Sequence, residues 1–162
     1  LNNYNSVKLI KRNKKSVEAD LIEDVFNYLK DVREQTICFV NTCAPLLNPD
    51  TLLLALEEFE RLNLVSLTTV LEKKTWYFDN EKIAINDNSA CNTKVLPPIY
   101  ECTHNFHIFN KEFFIKNKKY WNNENNDPYL FKVESIESLD IDTEEEFNTI
   151  EKIYMSLTSN KA

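Results

Sequence analysis

Apolar positions along the chain follow two periods, and the switches between them outline the elements. Val17, Leu21, Val25, Leu29 and Val32 recur every three or four residues, which puts them on one face of a helix. Ser16 stands where that helix should start, with Glu18 and Asp20 in the first turn to meet the positive end of the helix dipole. Leu9 and Ile10, just ahead, form a short apolar patch that reads as an edge strand. Thr36-Ile37-Cys38-Phe39-Val40-Asn41 is a continuous run rich in β-formers, the pattern of a strand buried on both faces of a parallel sheet. Asn48 followed by Pro49 marks a second helix start, and Leu52, Leu56, Phe59 and Leu62 give that helix a buried face. Val65 to Val70 reads as the next strand. Strand, helix, strand in this order predicts a parallel α/β sheet.

The middle of the chain departs from that rhythm. Trp76-Tyr77-Phe78, a turn at Asp79-Asn80 and then Ile83-Ala84-Ile85 predict an inserted hairpin. A polar loop over 87–93 and the rigid Pro97-Pro98 lead into a strand from Ile99 to Phe109, and Asn110 caps a short helix reaching Ile115. An asparagine-rich surface loop over 121–128 precedes a strand from Tyr129 to Val133. The last helix is the most strongly marked: Thr143 and Glu146 have capping-box spacing, and Phe147, Ile150, Ile153, Tyr154 and Leu157 share a face. No repeat or low-complexity linker divides the chain, so residues 1–162 are expected to form one domain.

Composition narrows the possible functions. The 162 residues are 43% hydrophobic and 12% aromatic, enough for a sizeable core, and carry a formal net charge of -7. An acidic chain is repelled by nucleic acid and by anionic membranes, so neither is expected as a partner. No apolar run approaches the roughly 20 residues that span a bilayer. Lysines and Arg12 break up the N-terminal region, leaving no signal-peptide pattern. The four cysteines form no CxxC pair and read as free thiols of a cytoplasmic protein. Glycine is absent altogether, which rules out a glycine-rich phosphate loop within these residues and leaves turn positions to asparagine. The chain opens on Leu1, as a piece of a longer protein would.

Two clusters could carry chemistry. Asp140 and Asp142 lie two apart on an extended segment, so their carboxylates project to one face and could share a hard cation such as magnesium; the helix start that follows favours anions. The same acids could instead simply cap and solvate that helix. In the run Cys102, His104, His107, strand alternation places the first two on one face and the third on the other, which argues against a shared zinc ion. Cys43 is not placed beside a histidine by any spacing, and Lys73-Lys74 and Lys116 to Lys119 read as solvated surface.

Several segments, in order, resemble the acylneuraminate cytidylyltransferase family of CMP-sugar synthetases. Ile37 to Leu47 resembles the family's VVLLQPTSPLR strand and loop, with Pro49-Asp50-Thr51-Leu52 continuing it. Val65 to Val70 resembles DSVVSV, and Leu96-Pro97-Pro98-Ile99-Tyr100 with His107-Ile108-Phe109 resembles the LPxxY and YIF pattern. Leu139 to Phe147 is similar to the closing DIDTEEDF, and Arg12 to Asp20 to RPxxLASD. The resemblance implies a Rossmann-like three-layer α/β/α domain of the nucleotide-diphospho-sugar transferase type, with a mostly parallel sheet and an inserted hairpin. It implies transfer of CMP from CTP to a nonulosonic or ketodeoxy sugar acid, with magnesium held by Asp140 and Asp142. Carried over residue by residue, Arg12 lies on the nucleotide side, and Asn41, Lys94 and His107 on the sugar side. A cytoplasmic homodimer is implied, with contacts exchanged through the hairpin segment.

Departures from the family pattern keep other readings open. The family's first strand and glycine-rich loop, which bind CTP, have no counterpart here, so the chain is expected to be truncated at its N-terminus relative to the family. Thr93 and Lys94 replace an Arg-Gln pair, Thr103 and His104 replace Asn-Gly, and Leu47 replaces an arginine. A non-catalytic binding or dimerisation module on the same fold is the alternative. A sugar-nucleotide binder or glycosyltransferase using a DxD motif is a third reading.

Overall fold

The computed structural model describes residues 9–86, 89, 91–124 and 126–159; parts of the loops expected over 87–93 and 121–128 lie outside them. The elements are α1 (Lys14–Val17), α2 (Ile22–Val25), a 3-10 turn (Asn27–Asp31), β1 (Thr36–Val40), α3 (Pro49–Arg61), β2 (Ser66–Lys73), a 3-10 turn (Thr93–Val95), β3 (Ile99–Asn110), α4 (Lys111–Asn117), β4 (Tyr129–Lys132) and α5 (Glu144–Ser159).

The α/β class holds, but the parallel sheet does not. The four strands lie in the order β1-β3-β2-β4, and β3 pairs antiparallel with both β1 and β2; only β2 and β4 pair parallel. The strand–helix–strand unit from β1 through α3 to β2 does run its two strands the same way, as the alternation predicts. The returning β3 then inserts between them, so most pairings become antiparallel although three of the four strands share a direction. Sequence order alone does not reveal such an insertion, because strands adjacent along the chain need not be neighbours in the sheet.

Helices cover the sheet on both faces. Ala55 and Phe59 of α3 pack on Leu67, Phe106 and Ile108, with Cys38, Tyr129 and Phe131 at the margin. On the opposite face Phe26 and Leu29 pack on Phe109 and Phe114, with Ile37, Phe39 and Tyr120 around them. Successive strand residues point to opposite faces, which is why Cys38 belongs to one core and its neighbours Ile37 and Phe39 to the other.

Three further expectations are corrected. Leu9 and Ile10 form no strand and are exposed. The first helix, expected to run unbroken to Val32, is three short pieces. Its cap is Asn13, whose Oδ1 accepts from Ser16 N–H at 2.8 Å, while the Ser16 hydroxyl is buried and donates to the Val25 carbonyl at 2.6 Å. Nine residues of continuous helix would hold those groups about 13.5 Å apart, so this bond requires the chain to double back. The expected hairpin is reduced to a single bridge, Phe78 to Ala84, closed by Asp79 and Ile83 at 2.9 Å.

Turns without glycine fall on other residues. Among the described residues Asn63, Lys82, His104, Lys118, Asn123 and Asn126 have positive φ, so asparagine takes half of these positions. Lys118 ends α4 at φ 59, its N–H donating to the Phe114 carbonyl at 2.7 Å. Glycine suits this left-handed cap better than a residue with a Cβ. Lys118→Gly is therefore expected to stabilise the fold by about 0.5–1 kcal/mol, read as a higher urea midpoint with an unchanged slope.

Candidate functional site

The site lies where β1 ends. Asn41, the first residue beyond that strand, is fixed through its backbone, its N–H donating to the Asn105 carbonyl on β3 at 2.8 Å. Its side chain is used twice: Oδ1 accepts from Cys43 N–H at 3.0 Å, and Nδ2 donates to Asp140 Oδ1 at 3.3 Å. The Ile141 N–H donates to the Cys43 carbonyl at 3.0 Å. The loop after β1 and the segment before α5, 99 residues apart in sequence, are thus joined by side chain and by backbone.

Asp140 is half-buried and Asp142 is exposed. Neither forms an ion pair among the described residues. The start of α5 behind them is a reciprocal capping box. Glu146 Oε2 accepts from the N–H groups of Asp142 at 2.9 Å and Thr143 at 2.8 Å, and Glu146 N–H donates to Thr143 Oγ1 at 3.3 Å. The Asp142 backbone N–H, followed by the Thr143 hydroxyl and N–H, holds the Glu146 carboxyl below its ordinary range. Asp140, Thr143, Glu145 and Glu146 border an open hollow of about 540 Å³. Of the two aspartates only Asp140 borders this hollow; carboxylate oxygens are donors of the kind a hard cation takes.

Two buried groups that the sequence reading missed complete this corner. Asn105 is fully buried, and its amide donates to the Glu137 carbonyl. Glu137, 6% exposed, accepts from the Asn48 N–H at 3.3 Å and the Thr51 hydroxyl at 2.7 Å, tying the start of α3 to the same corner. Asn105 Oδ1, Glu137 Oε2 and Thr103 Oγ1 are buried without a hydrogen-bond partner among the described residues. Each such atom costs about 1–3 kcal/mol unless something donates to it or accepts from it. An asparagine directly ahead of the mostly apolar stretch Phe106 to Phe109, within a predicted strand, was the available signal for Asn105; Glu137 had none.

His107 sits in the middle of β3, 1% exposed, facing Phe39 on β1 and Thr68 on β2. Its ring stacks on Tyr120 at 4.6 Å between centroids, with Trp121 at 5.5 Å. Burial, then the nearby His104, pushes its pKa down to about 4, so the imidazole is neutral at ordinary pH. Thr68 Oγ1 meets Nδ1 at 2.8 Å and His104 Nδ1 meets Nε2 at 3.2 Å, so both ring nitrogens are engaged.

The expectation that His107 faces away from Cys102 and His104 is wrong. Thr68 and Val70 are two apart on β2 and share a face, and they pair with His107 and Cys102 respectively. Two steps along β2 are thus matched by five along β3, and the bulge that absorbs the difference, with His104 at φ 54, returns Cys102 to the His107 side.

The other two candidates lie apart. Arg12 is exposed beside α1, its Nε donating to Ser16 Oγ at 2.8 Å and a terminal nitrogen to the Ser16 carbonyl. Lys94 is exposed in the 3-10 turn, where its backbone N–H donates to Asn92 Oδ1 at 3.0 Å. No hydrogen bond or ion pair among the described residues joins either to Asn41, His107 or Asp140. The four cysteines are free thiols, and no helix among the described residues is long and apolar enough to cross a membrane.

No protein-family profile and no curated protein matches the chain by sequence. Its structure is similar to the crystal structure of 4-diphosphocytidyl-2C-methyl-D-erythritol synthase from Anaerococcus prevotii, with a TM-score of 0.59 at 11% identity over 85% of this chain and 68% of that one. At that identity the likeness shows the fold: this is a mixed α/β domain folded like that synthase.

Proposed function

We propose that the chain is part of a cytoplasmic enzyme that transfers CMP from CTP to a nonulosonic or ketodeoxy sugar acid, on a Rossmann-like three-layer scaffold of the acylneuraminate cytidylyltransferase kind. A sugar hydroxyl attacks the α-phosphorus, a new phosphorus–oxygen bond forms, the bond to the bridging oxygen breaks, and pyrophosphate leaves. Asp140 and Asp142 would hold magnesium, which offsets the negative charge gathering on the phosphates. Asn41 holds Asp140 in place and borders the sugar side. His107, with both nitrogens engaged, contributes shape rather than a hydrogen bond. Arg12 and Lys94 would reach the nucleotide and the sugar carboxylate only through movement of their exposed segments. The observation that carries this reading is the Asn41–Asp140 hydrogen bond, which joins the two segments most similar to the family's motifs.

The test is pyrophosphate release from CTP with a panel of nonulosonic and ketodeoxy acids, using the longest polypeptide the gene encodes. Release that depends on one of these acids supports the reading; none with any acid sinks it. The alternative, a non-catalytic binding or dimerisation module, is favoured by the absence of glycine from all 162 residues, and it predicts no turnover.

Either version calls for a homodimer. The arm around the Phe78–Ala84 bridge leaves Phe78 63%, Ile83 58% and Ile85 67% exposed, an apolar surface of the kind that marks association. Phe78→Asp combined with Ile85→Asp is expected to convert a dimer to a monomer in light scattering, without loss of secondary structure by circular dichroism.

A further inference from the structure

Cys102, His104 and His107 bring one sulfur and two nitrogens within 4.8 Å of one another. The His104 Nδ1 to His107 Nε2 distance is 3.2 Å and the Cys102 Sγ to His104 Nδ1 distance is 3.8 Å. A tetrahedral zinc ion, with bonds of about 2.0–2.1 Å to nitrogen and 2.3 Å to sulfur, sets ligand edges of roughly 3.3 Å between nitrogens and 3.6 Å between nitrogen and sulfur. These two spacings lie within a few tenths of an ångström of the corresponding edges, and the third, Cys102 Sγ to His107 Nε2, is within 4.8 Å.

We propose that these three side chains form a zinc site, unrelated to the hard-cation pair at Asp140 and Asp142, with a fourth position open to water or to a ligand oxygen.

Thr68 supplies the outer support that such sites need. Its hydroxyl oxygen lies 2.8 Å from His107 Nδ1 and 3.4 Å from Cys102 Sγ. It can accept from Nδ1–H, which leaves the Nε2 lone pair directed at the shared centre. It can also donate its own proton to the sulfur. One residue thereby fixes the tautomer of one ligand and the position of another. The backbone agrees: His104 holds positive φ within the bulge, a conformation that costs energy and that a bound metal would offset. His107 is buried, whereas His104 is exposed, which leaves the site open on one side. On binding, the Cys102 thiol releases its proton to solvent and the sulfur bonds to the metal.

Metal-free protein titrated with Co(II) tests this. One equivalent is expected to bind with a thiolate-to-metal charge-transfer band and the visible spectrum of a tetrahedral centre, and Zn(II) is expected to displace it. Cys102→Ser should abolish the charge-transfer band, and His104→Ala, at an exposed position, should weaken binding at least tenfold. Cys91→Ser should leave both unchanged. The proposal is overturned if no equivalent binds, if the band survives Cys102→Ser, or if binding is indifferent to His104→Ala.

Discussion

On the proposed magnesium role, Asp140→Ala is expected to lower pyrophosphate release from CTP by about 100- to 1000-fold, the equivalent of several kcal/mol of lost charge stabilisation. Asp142→Ala falls by a similar factor. The two together do little more damage than either alone, because a cation held by a pair is lost when one member goes. Asn41→Ala acts at one remove: it frees the Asp140 carboxylate from its 3.3 Å hydrogen bond without removing it. Its cost is correspondingly smaller, about tenfold, and raised magnesium concentration recovers much of it. Asp140 is half-buried, with that single side-chain bond among the described residues, so its removal shifts the urea midpoint by little. Activity and stability therefore separate. Unchanged turnover in both aspartate variants would remove the metal role, whereas lost turnover with a collapsed fold would assign the two residues to structure.

Elements with strong local signals were legible in the sequence. Asn48-Pro49, Asn110 and the Thr143–Glu146 box mark helix starts because caps depend on neighbouring residues, and all three helices begin where these residues stand. What failed depended on distant contacts. The split of the first helix follows from the Ser16–Val25 bond, and the antiparallel sheet from β3 entering between β1 and β2. Neither leaves a mark in local periodicity.

The candidate site divides in the same way. Asn41 and Asp140 could be picked out individually, by motif and by spacing, and the fold brings them together. Cys102, His104 and His107 were visible as residues, but strict alternation separated them. A bulge breaks alternation, and a non-glycine residue at positive φ gives no signal in the sequence. Asn105 and Glu137 owe their importance to burial, which depends on packing across three elements.

Phe26→Ala and Phe106→Ala each destabilise the protein by about 3–5 kcal/mol, with Phe106 nearer the upper end. Phe106 is fully buried on the inserted strand, between β1 and β2, so the cavity left behind cannot collapse. Phe26 meets Phe39 at 5.0 Å, Phe114 at 5.6 Å and Tyr120 at 5.8 Å, mostly edge to face, but it sits at the irregular end of α2, where the backbone can close in. A domain this size has roughly 5–15 kcal/mol in total, so either change leaves a small margin. Phe26→Leu and Phe106→Leu, at about 1–2 kcal/mol each, are mild enough to combine. The two rings belong to cores on opposite faces with no shared partner, so the double variant loses the sum of the singles to within about 0.5 kcal/mol. Urea unfolding followed by tryptophan fluorescence measures all of these. A larger discrepancy would mean that β3 transmits strain from one face to the other, and the bulge carrying Cys102, His104 and His107 would then be coupled to both cores rather than resting on one.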